Sequence, residues 1–479
     1  MRLASIICAL AALAAPGLAR AGGPGMTIGG VDDAFKQPTI PAAKAKLDLA
    51  KLAGLRAVRM TVTWERGRVQ PEDVELDSLK NAVAAAQLDA VDVYLSITFG
   101  SRNTPLTVEH RDQFAQFCQT LANDLPSVRR FTIGNEPNLN RFWLPQFGPN
   151  GEDVAAPVYE QLLAVAYDAL KGVNPQNIVI GGAVSPRGGD KPNTGRDTHS
   201  PTAFIPDLGD AYRASGRTRP IMDWFAIHPY EETSSVPPTT KHTNTTTIAI
   251  ADYEKLVALL GRAFDGTAQP GSTIPIVYNE FGVEAQIPGD KATLYEGTEP
   301  DTTKPVSEAL QGAYYRQAIQ LAFCQPTVRG IFIFHVFDEP GLPQWQSGVY
   351  YADGTTPKTS RAALQAAADA SRRGVVTRCA GLQLPIKATL TGLSRVALQA
   401  RASLRCDLDC TYYARVEKLP AHSTTQVLRG TAVGGFPARL VFLPLRLAPG
   451  SYRITAAVRA TVNPGPPTVL AGLPFRIRR

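Results

Sequence analysis

Hydrophobic residues along the chain fall into short, nearly unbroken runs, separated by longer stretches in which they recur every three or four positions. The runs are MTIGGV (26–31), AVRMTVTW (57–64), VDVYLSITF (91–99), RFTIGNE (130–136), NIVIGGAV (177–184), MDWFAIHPY (222–230), PIVYNEF (275–281) and GIFIFHVF (330–337). Runs this short, rich in β-branched and aromatic residues, predict strands buried on both faces. Between them AAKAKLDLAKLAG, LDSLKNAVAAAQL, PVYEQLLAVAYDALKGV, IADYEKLVALLGRAF and VSEALQGAYYRQAIQLAF carry helical periodicity and end in Gly or a polar turn. Eight alternating strand and helix units predict an α/β fold, a parallel sheet closed into a (β/α)8 TIM barrel.

The connections are unequal. Segments after the fifth, sixth and seventh runs (185 to about 202, 231–248 and 283–304) are long and rich in Pro, Gly, Thr and Asp, whereas the link KGVNPQN into the fifth run is short. Long loops therefore gather at the C-terminal ends of the strands, the end where barrels of this kind carry their sites. One of them, VPPTTKHTNTTT (236–247), reads as a flexible loop. From about Leu382 the helical period disappears, and KATLTGL, VALQARASL, TYYARVEKL, ARLVFLPLRL and SYRITAAVRATV alternate apolar and polar positions between Gly/Pro turns. About seven such strands predict a small C-terminal all-β sandwich. The expected organisation is a leader over 1–21, a barrel over 22–378 and a sandwich over 379–479.

Composition narrows the function classes. With 44% hydrophobic and 19% charged residues the chain can bury a core, which excludes a disordered or coiled-coil protein. The net charge of +7 is spread over 49 basic and 42 acidic residues with no long like-charge run, so a dedicated nucleic-acid binder is not expected. Arg2, an apolar stretch from Leu3 to Leu18 interrupted by Pro16, and the small-x-small motif Ala19-Arg20-Ala21 predict a cleaved secretory leader rather than a membrane anchor. The mature protein is then extracellular or periplasmic, has no membrane span and acts as a monomer. In an oxidising compartment Cys406 and Cys410 are expected to pair across a tight turn, a closure worth about 2 kcal/mol in the chain-entropy model. Cys324 and Cys379 are the next pair, and Cys118, on a helical face of QFAQFCQTLA, is expected as a buried thiol. No CxxC or HExxH occurs and the six histidines show no ligand spacing, so neither metal nor cofactor is expected.

Polar residues at several strand ends should face one another across the barrel mouth. They are Asn135 and Glu136 after the fourth run, His228 and Tyr230 on the sixth, Glu280 on the seventh, and Arg59 on the second, where Thr61 and Thr63 share its face at period two. Each alone has an ordinary structural explanation: a cap or turn carboxylate, a hydrogen-bonded core histidine. A buried Arg, however, is seldom found without a carboxylate partner. Their convergence at one end of one barrel points to chemistry.

These residues resemble those of the clan A retaining glycoside hydrolases, the broad cellulase and β-xylosidase superfamily of TIM barrels. The likeness covers about residues 26–372 and rests on FTIGNEPN, VYNEFG, VRMTVTW, HPY, the stretch from Asn135 to Trp143, and WQSGVYYADGTTPK (345–358). It implies that Glu136 is the acid/base, Glu280 the nucleophile, and Asn135 the group that hydrogen-bonds the sugar 2-hydroxyl. It further implies that Arg59 keeps the nucleophile ionised while His228 and Tyr230 orient the carboxylates. Trp143 and Trp345 fall in expected mouth loops, where each either stacks on a sugar or packs in the core. Many clan members carry Trp at the end of the eighth strand as the floor of the sugar site. This chain has Phe334-His335-Val336-Phe337 there, so an aromatic of this run or Trp345 takes that place.

The implied function is hydrolysis of β-glycosidic bonds in an oligosaccharide, polysaccharide or other glycoside by double displacement. A carboxylate beside Arg59 stays ionised and attacks the anomeric carbon, while its partner protonates the leaving oxygen. Two alternatives stay open: a transglycosidase using the same intermediate, and a non-catalytic carbohydrate-binding or cell-surface barrel. The sandwich either braces the barrel or binds polymer, with bracing favoured because Tyr412, Tyr413 and Tyr452 sit within strand patterns.

Overall fold

The computed structural model describes residues 22–375, 386–396, 399–406, 410–433, 436–443, 447–460 and 467–477. The leader, Cys379 and the expected domain boundary lie outside them. Eight strands, β1 (Thr27–Val31), β2 (Ala57–Thr63), β3 (Asp92–Thr98), β4 (Arg130–Ile133), β5 (Ile178–Val184), β6 (Trp224–Ile227), β7 (Ile276–Phe281) and β8 (Val328–Phe334), form a closed barrel in sequence order. The ring shuts where β1 runs parallel to β8, Thr27 opposite Gly330 and Val31 opposite Phe334. Each strand is followed by a helix: α1 (Ile40–Leu52), α2 (Asp73–Leu88), α3 (Val108–Asp124), α4 (Ala155–Val173), α5 (Pro201–Ala214), α6 (Tyr253–Phe264), α7 (Glu308–Phe323) and α8 (Ser360–Arg372).

The predicted runs become these strands because both of their faces are covered. One face meets the helices through residues such as Val58, Met60, Leu95 and Phe131, all buried in one large apolar cluster. The other face fills the barrel interior, where Ala57, Tyr94, Ala226, Val277 and Phe332 pack together. The small residues of β1 answer to this interior, since a Cβ at Gly29 would collide with the Phe332 ring. Cys118 is buried and unpaired on α3, as its helical face predicts.

Two antiparallel sheets follow. One has the order β13-β10-β9, and the other the order β12-β11-β14-β15 with β16 also on β14; the ranges are β9 (Ala388–Val396), β10 (Gln399–Cys406), β11 (Cys410–Leu419), β12 (Ser423–Ala432), β13 (Pro437–Phe442), β14 (Gly450–Ala460), β15 (Thr468–Val469) and β16 (Leu473–Ile477). Their inward residues, among them Leu404, Leu440, Val416 and Ile454, share one core separate from the barrel's, which is the arrangement of a sandwich. The Cys406–Cys410 disulfide joins β10 to β11. Cys324 is disulfide-bonded as well, and its expected partner Cys379 is outside the described residues. Tyr452 is buried against Phe475 rather than displayed on a surface. Among the described residues no helix is long and apolar enough to cross a membrane.

Candidate active site

A cavity of about 830 Å³ opens at the C-terminal end of the barrel. Arg59 reaches its floor from β2, 3% exposed, because period two along the strand turns it to the same side as Ala57. Its guanidinium donates to Ser96 Oγ on β3 at 3.2 Å and makes a close ion pair with Glu280 on β7. Tyr230 completes the surroundings of Glu280, its hydroxyl donating to Oε2 at 3.0 Å.

Two strands end sooner than their runs suggest. β4 stops at Ile133 and β6 at Ile227, so Glu136, His228 and Tyr230 stand on the turns just above them. These turns are tied to β5 by backbone bonds, Glu136 N–H to Ala183 O at 2.9 Å and His228 N–H to Val184 O at 3.0 Å. Buried Asn138 fastens the first turn, donating to Ser185 O and His199 O and accepting from Ser185 N–H at 2.9 Å. Glu136 itself has φ +39°, in the left-handed region. His228 is fully buried between the two carboxylates, with Nδ1 3.1 Å from Glu136 Oε1 and 3.4 Å from Glu280 Oε2. Asn135 lines the cavity beside Glu136.

The electrostatics separate the two glutamates. Burial alone would raise the Glu280 carboxyl, but the charges of His228 and Arg59, together with the hydrogen bonds from Arg59 and Tyr230, hold it below its ordinary value. Burial and the two neighbouring carboxylates push the Tyr230 phenol well above its ordinary value, so it keeps its proton and acts as a donor to Glu280. Glu136 makes no ion pair of the kind Arg59 makes with Glu280: its hydrogen-bond partner is the His228 ring, and the Arg187 guanidinium acts on it from farther off. The cavity thus holds one firmly ionised carboxylate facing a second whose side chain is open to a bound molecule.

The two expected tryptophans part company. Trp345 lines the cavity, tilted against Tyr230 at 5.1 Å between ring centres and edge-on to Phe334 at 5.3 Å, so the three rings make an aromatic wall at the end of β8. Trp143 does not reach the mouth. It is 1% exposed and its ring packs between Phe99 and Tyr159, its backbone N–H bonded back to Leu139 O, and Phe142 takes its place on the cavity surface. The turn after Glu136 folds this larger ring under the loop, where more apolar area leaves water. The segment 236–247 is an irregular loop, and the Lys255 ammonium on α6 ties it down by donating to the carbonyls of His242, Thr245 and Thr247.

Residues the sequence reading passed over also line the cavity, notably Arg187, Glu231 and Glu232. Arg187 donates to Tyr230 O at 2.9 Å and so steadies the turn that carries the Tyr230 phenol. Glu231 and Glu232 directly follow Tyr230, and extending the strand-end rule by two positions would have found them.

No protein-family model matches the chain, and no curated protein matches it. Solved structures do. GH5_18 from Streptomyces cattleya in complex with GlcNAc aligns with a TM-score of 0.51 and 15% identity, over 74% of this chain and 81% of that one. A family 1 β-glucosidase from Thermotoga maritima aligns with a TM-score of 0.47 and 12% identity, over 74% and 99% of the two chains. Bacteroides uniformis β-glucuronidase 2 aligns with a TM-score of 0.44 and 14% identity over 94% of this chain, which spans only 45% of that longer one. At this identity the likeness to the Streptomyces protein is one of fold: a TIM barrel.

Proposed function

We propose that the chain is a secreted, monomeric retaining glycoside hydrolase that cleaves β-linked oligosaccharides, polysaccharides or aryl glycosides by double displacement. The observation that carries this reading is the shared contact at His228. Because Glu136 Oε1 and Glu280 Oε2 lie 3.1 and 3.4 Å from one nitrogen, they are at most about 6.5 Å apart. That bound accommodates the about 5–5.5 Å of retaining pairs and reaches only the lower edge of the about 6.5–9.5 Å of inverting ones.

On this reading Glu280, ionised beside Arg59, attacks the anomeric carbon while Glu136 gives its proton to the leaving oxygen. Water then enters from the Glu136 side, Glu136 takes its proton, and the Glu280 ester is released with the original β configuration restored. Arg59 and Tyr230 hold Glu280 in line, Asn135 is placed to bind the sugar beside the reacting carbon, and Trp345 with Phe334 offers an apolar face to the ring. Likeness of fold to a sugar-bound barrel supports the substrate class. The leader motif supports secretion, with a mature N-terminus near Gly22 that intact-mass analysis of secreted protein would read directly.

The test is stereochemical. A panel of aryl β-glycosides should identify a substrate, and proton NMR should show the β anomer of the product first. Glu280→Ala should lower turnover by about 10⁴-fold or more, the order seen when a covalent nucleophile is removed. Azide should rescue it as the α-glycosyl azide. Glu136→Ala should slow poor leaving groups by about 10²–10⁴-fold and spare activated ones, with azide giving the β product. An α anomer formed first by the wild type would falsify the reading. Products carrying an added acceptor sugar in place of water would redirect it to transglycosylation.

A further inference from the structure

Beside the two glutamates, Glu231 and Glu232 line the same cavity and converge with His242; the Arg187 guanidinium acts on both carboxylates and the Thr247 hydroxyl donates to Glu232, yet neither reaches a Glu231 oxygen with a hydrogen bond. Glu231 and Glu232 follow Tyr230 at the top of β6, and His242 comes from the anchored loop that follows. His242 Nε2 lies 3.1 Å from Glu232 Oε2 and 3.5 Å from Glu231 Oε2, and one ligand atom from each of the three lies within 4.8 Å of the others. The other ring nitrogen is engaged: Asp252 Oδ2 is 2.8 Å from Nδ1, while Asp252 Oδ1 accepts the His242 backbone N–H at 2.7 Å. A carboxylate that accepts Nδ1–H leaves Nε2 with its lone pair, aimed at two more carboxylates.

Glu231 makes the arrangement unusual. Its side chain is 5% exposed, and neither carboxylate oxygen has a hydrogen-bond partner. A buried carboxylate with no donor is costly, and structures normally satisfy it. A doubly protonated His242 would serve Glu232 at hydrogen-bond distance but would still leave Glu231 at 3.5 Å without a bond. A cation placed among the three would satisfy all of them at once. Zinc bonds of about 2.0–2.2 Å to N and O in a tetrahedron set the ligand atoms about 3.3–3.6 Å apart, close to the 3.1 and 3.5 Å of the His242 nitrogen from the two carboxylates.

We propose that Glu231, Glu232 and His242 form a divalent metal site of the Zn²⁺ type, with Asp252 as the positioning residue behind the histidine. One imidazole and two carboxylates suit a first-row cation, whereas Ca²⁺ seeks six to eight oxygens. Three protein ligands leave a fourth position for water or a sugar hydroxyl on the cavity side. The site would clip the loop carrying His242 to the end of β6, one residue from the tyrosine that holds Glu280. It stands independently of the hydrolase reading, because the ligands and the orphaned carboxylate are there whatever the cavity binds.

The test uses the full chain without a histidine tag, stripped by chelator and titrated calorimetrically with ZnCl2, MnCl2 and CaCl2. One equivalent of Zn²⁺ should bind, with a rise in Tm that grows with metal concentration. Glu231→Gln, nearly the same shape, and His242→Ala should each weaken binding at least tenfold. Asp252→Asn should weaken it by about 10- to 100-fold, the range for groups that orient a metal-bound histidine. If His242→Ala does not fold, Glu231→Gln decides alone. Absence of a one-equivalent Zn²⁺ isotherm, affinity unchanged in Glu231→Gln, or tighter binding of Ca²⁺ than of Zn²⁺ would each overturn the proposal.

Discussion

Two layers inside the same barrel differ completely in chemistry although only one side-chain step separates them. The lower layer contains Ala57, Tyr94, Ala226 and Phe332, packed as an apolar plug with the Tyr94 and Phe332 rings 4.6 Å apart. Two residues further along the same chain segments come Arg59, Ser96, His228 and Phe334, joined by Glu280 from β7. A step of two keeps the side chain on the inner face and advances it by about 6.6 Å. The lower layer is held by shape, the upper by charges that stay buried only because each is paired. Stability and chemistry are thus assigned to neighbouring rungs of one ladder, and a substitution should trouble mainly one of them.

The largest effect expected on either rung is loss of turnover in Glu280→Gln, about 10⁴-fold or more, with the protein still folded by circular dichroism. Next is Phe332→Ala, which should cost about 3–5 kcal/mol in denaturant melts. Below its unfolding transition that variant should keep kcat/KM within a few-fold of wild type, and a loss as large as that of Glu280→Gln would erase the distinction between the layers. Trp345→Ala should raise KM about 2- to 10-fold, the worth of an aromatic contact, while Trp143→Ala should lower Tm with little change in KM. The finest test is one of sign. Glu280 is held below its ordinary value, so it stays ionised as pH falls, and the acid limb of kcat/KM should lie below the ordinary glutamate value of about 4.3. The stabilisation linked to that depression is present at neutral pH and is lost as pH drops through the folded value. Arg59→Gln should move the acid limb upward, and an unmoved limb would remove Arg59 from control of Glu280.

The lower layer and most of the upper were legible in the sequence because both obey period two within runs too apolar to be anything but buried strands. Arg59 stood out as a charge among Val58, Met60 and Val62, and Glu280 stood next to last in the run from Pro275 to Phe281. Trp143 was not legible. Nothing local separates a loop aromatic that turns under from one that turns out, and half-buried Phe142 beside it took the cavity-lining position. His242, which completes the cluster with Glu231 and Glu232, was hidden for another reason: it belongs to a Thr/Pro-rich loop with no period, and the anchoring by Lys255 and Asp252 brings it back over the strand end.

The backbone of Glu136, at φ +39°, gives this barrel a particular vulnerability. A left-handed conformation costs a side-chain-bearing residue about 1–3 kcal/mol and glycine almost nothing. At this one position the residue the fold would find most comfortable is the one without a carboxyl. Replacement by glycine would relieve the chain while leaving Arg59, Glu280, Tyr230 and the aromatic wall in place. On the proposed reading the product would be a sturdier cavity that still binds and cleaves unactivated glycosides far more slowly. If the proposed hydrolase reading holds, a single codon change separates the enzyme from a lectin-like descendant, and the energetic slope between them runs downhill towards the descendant.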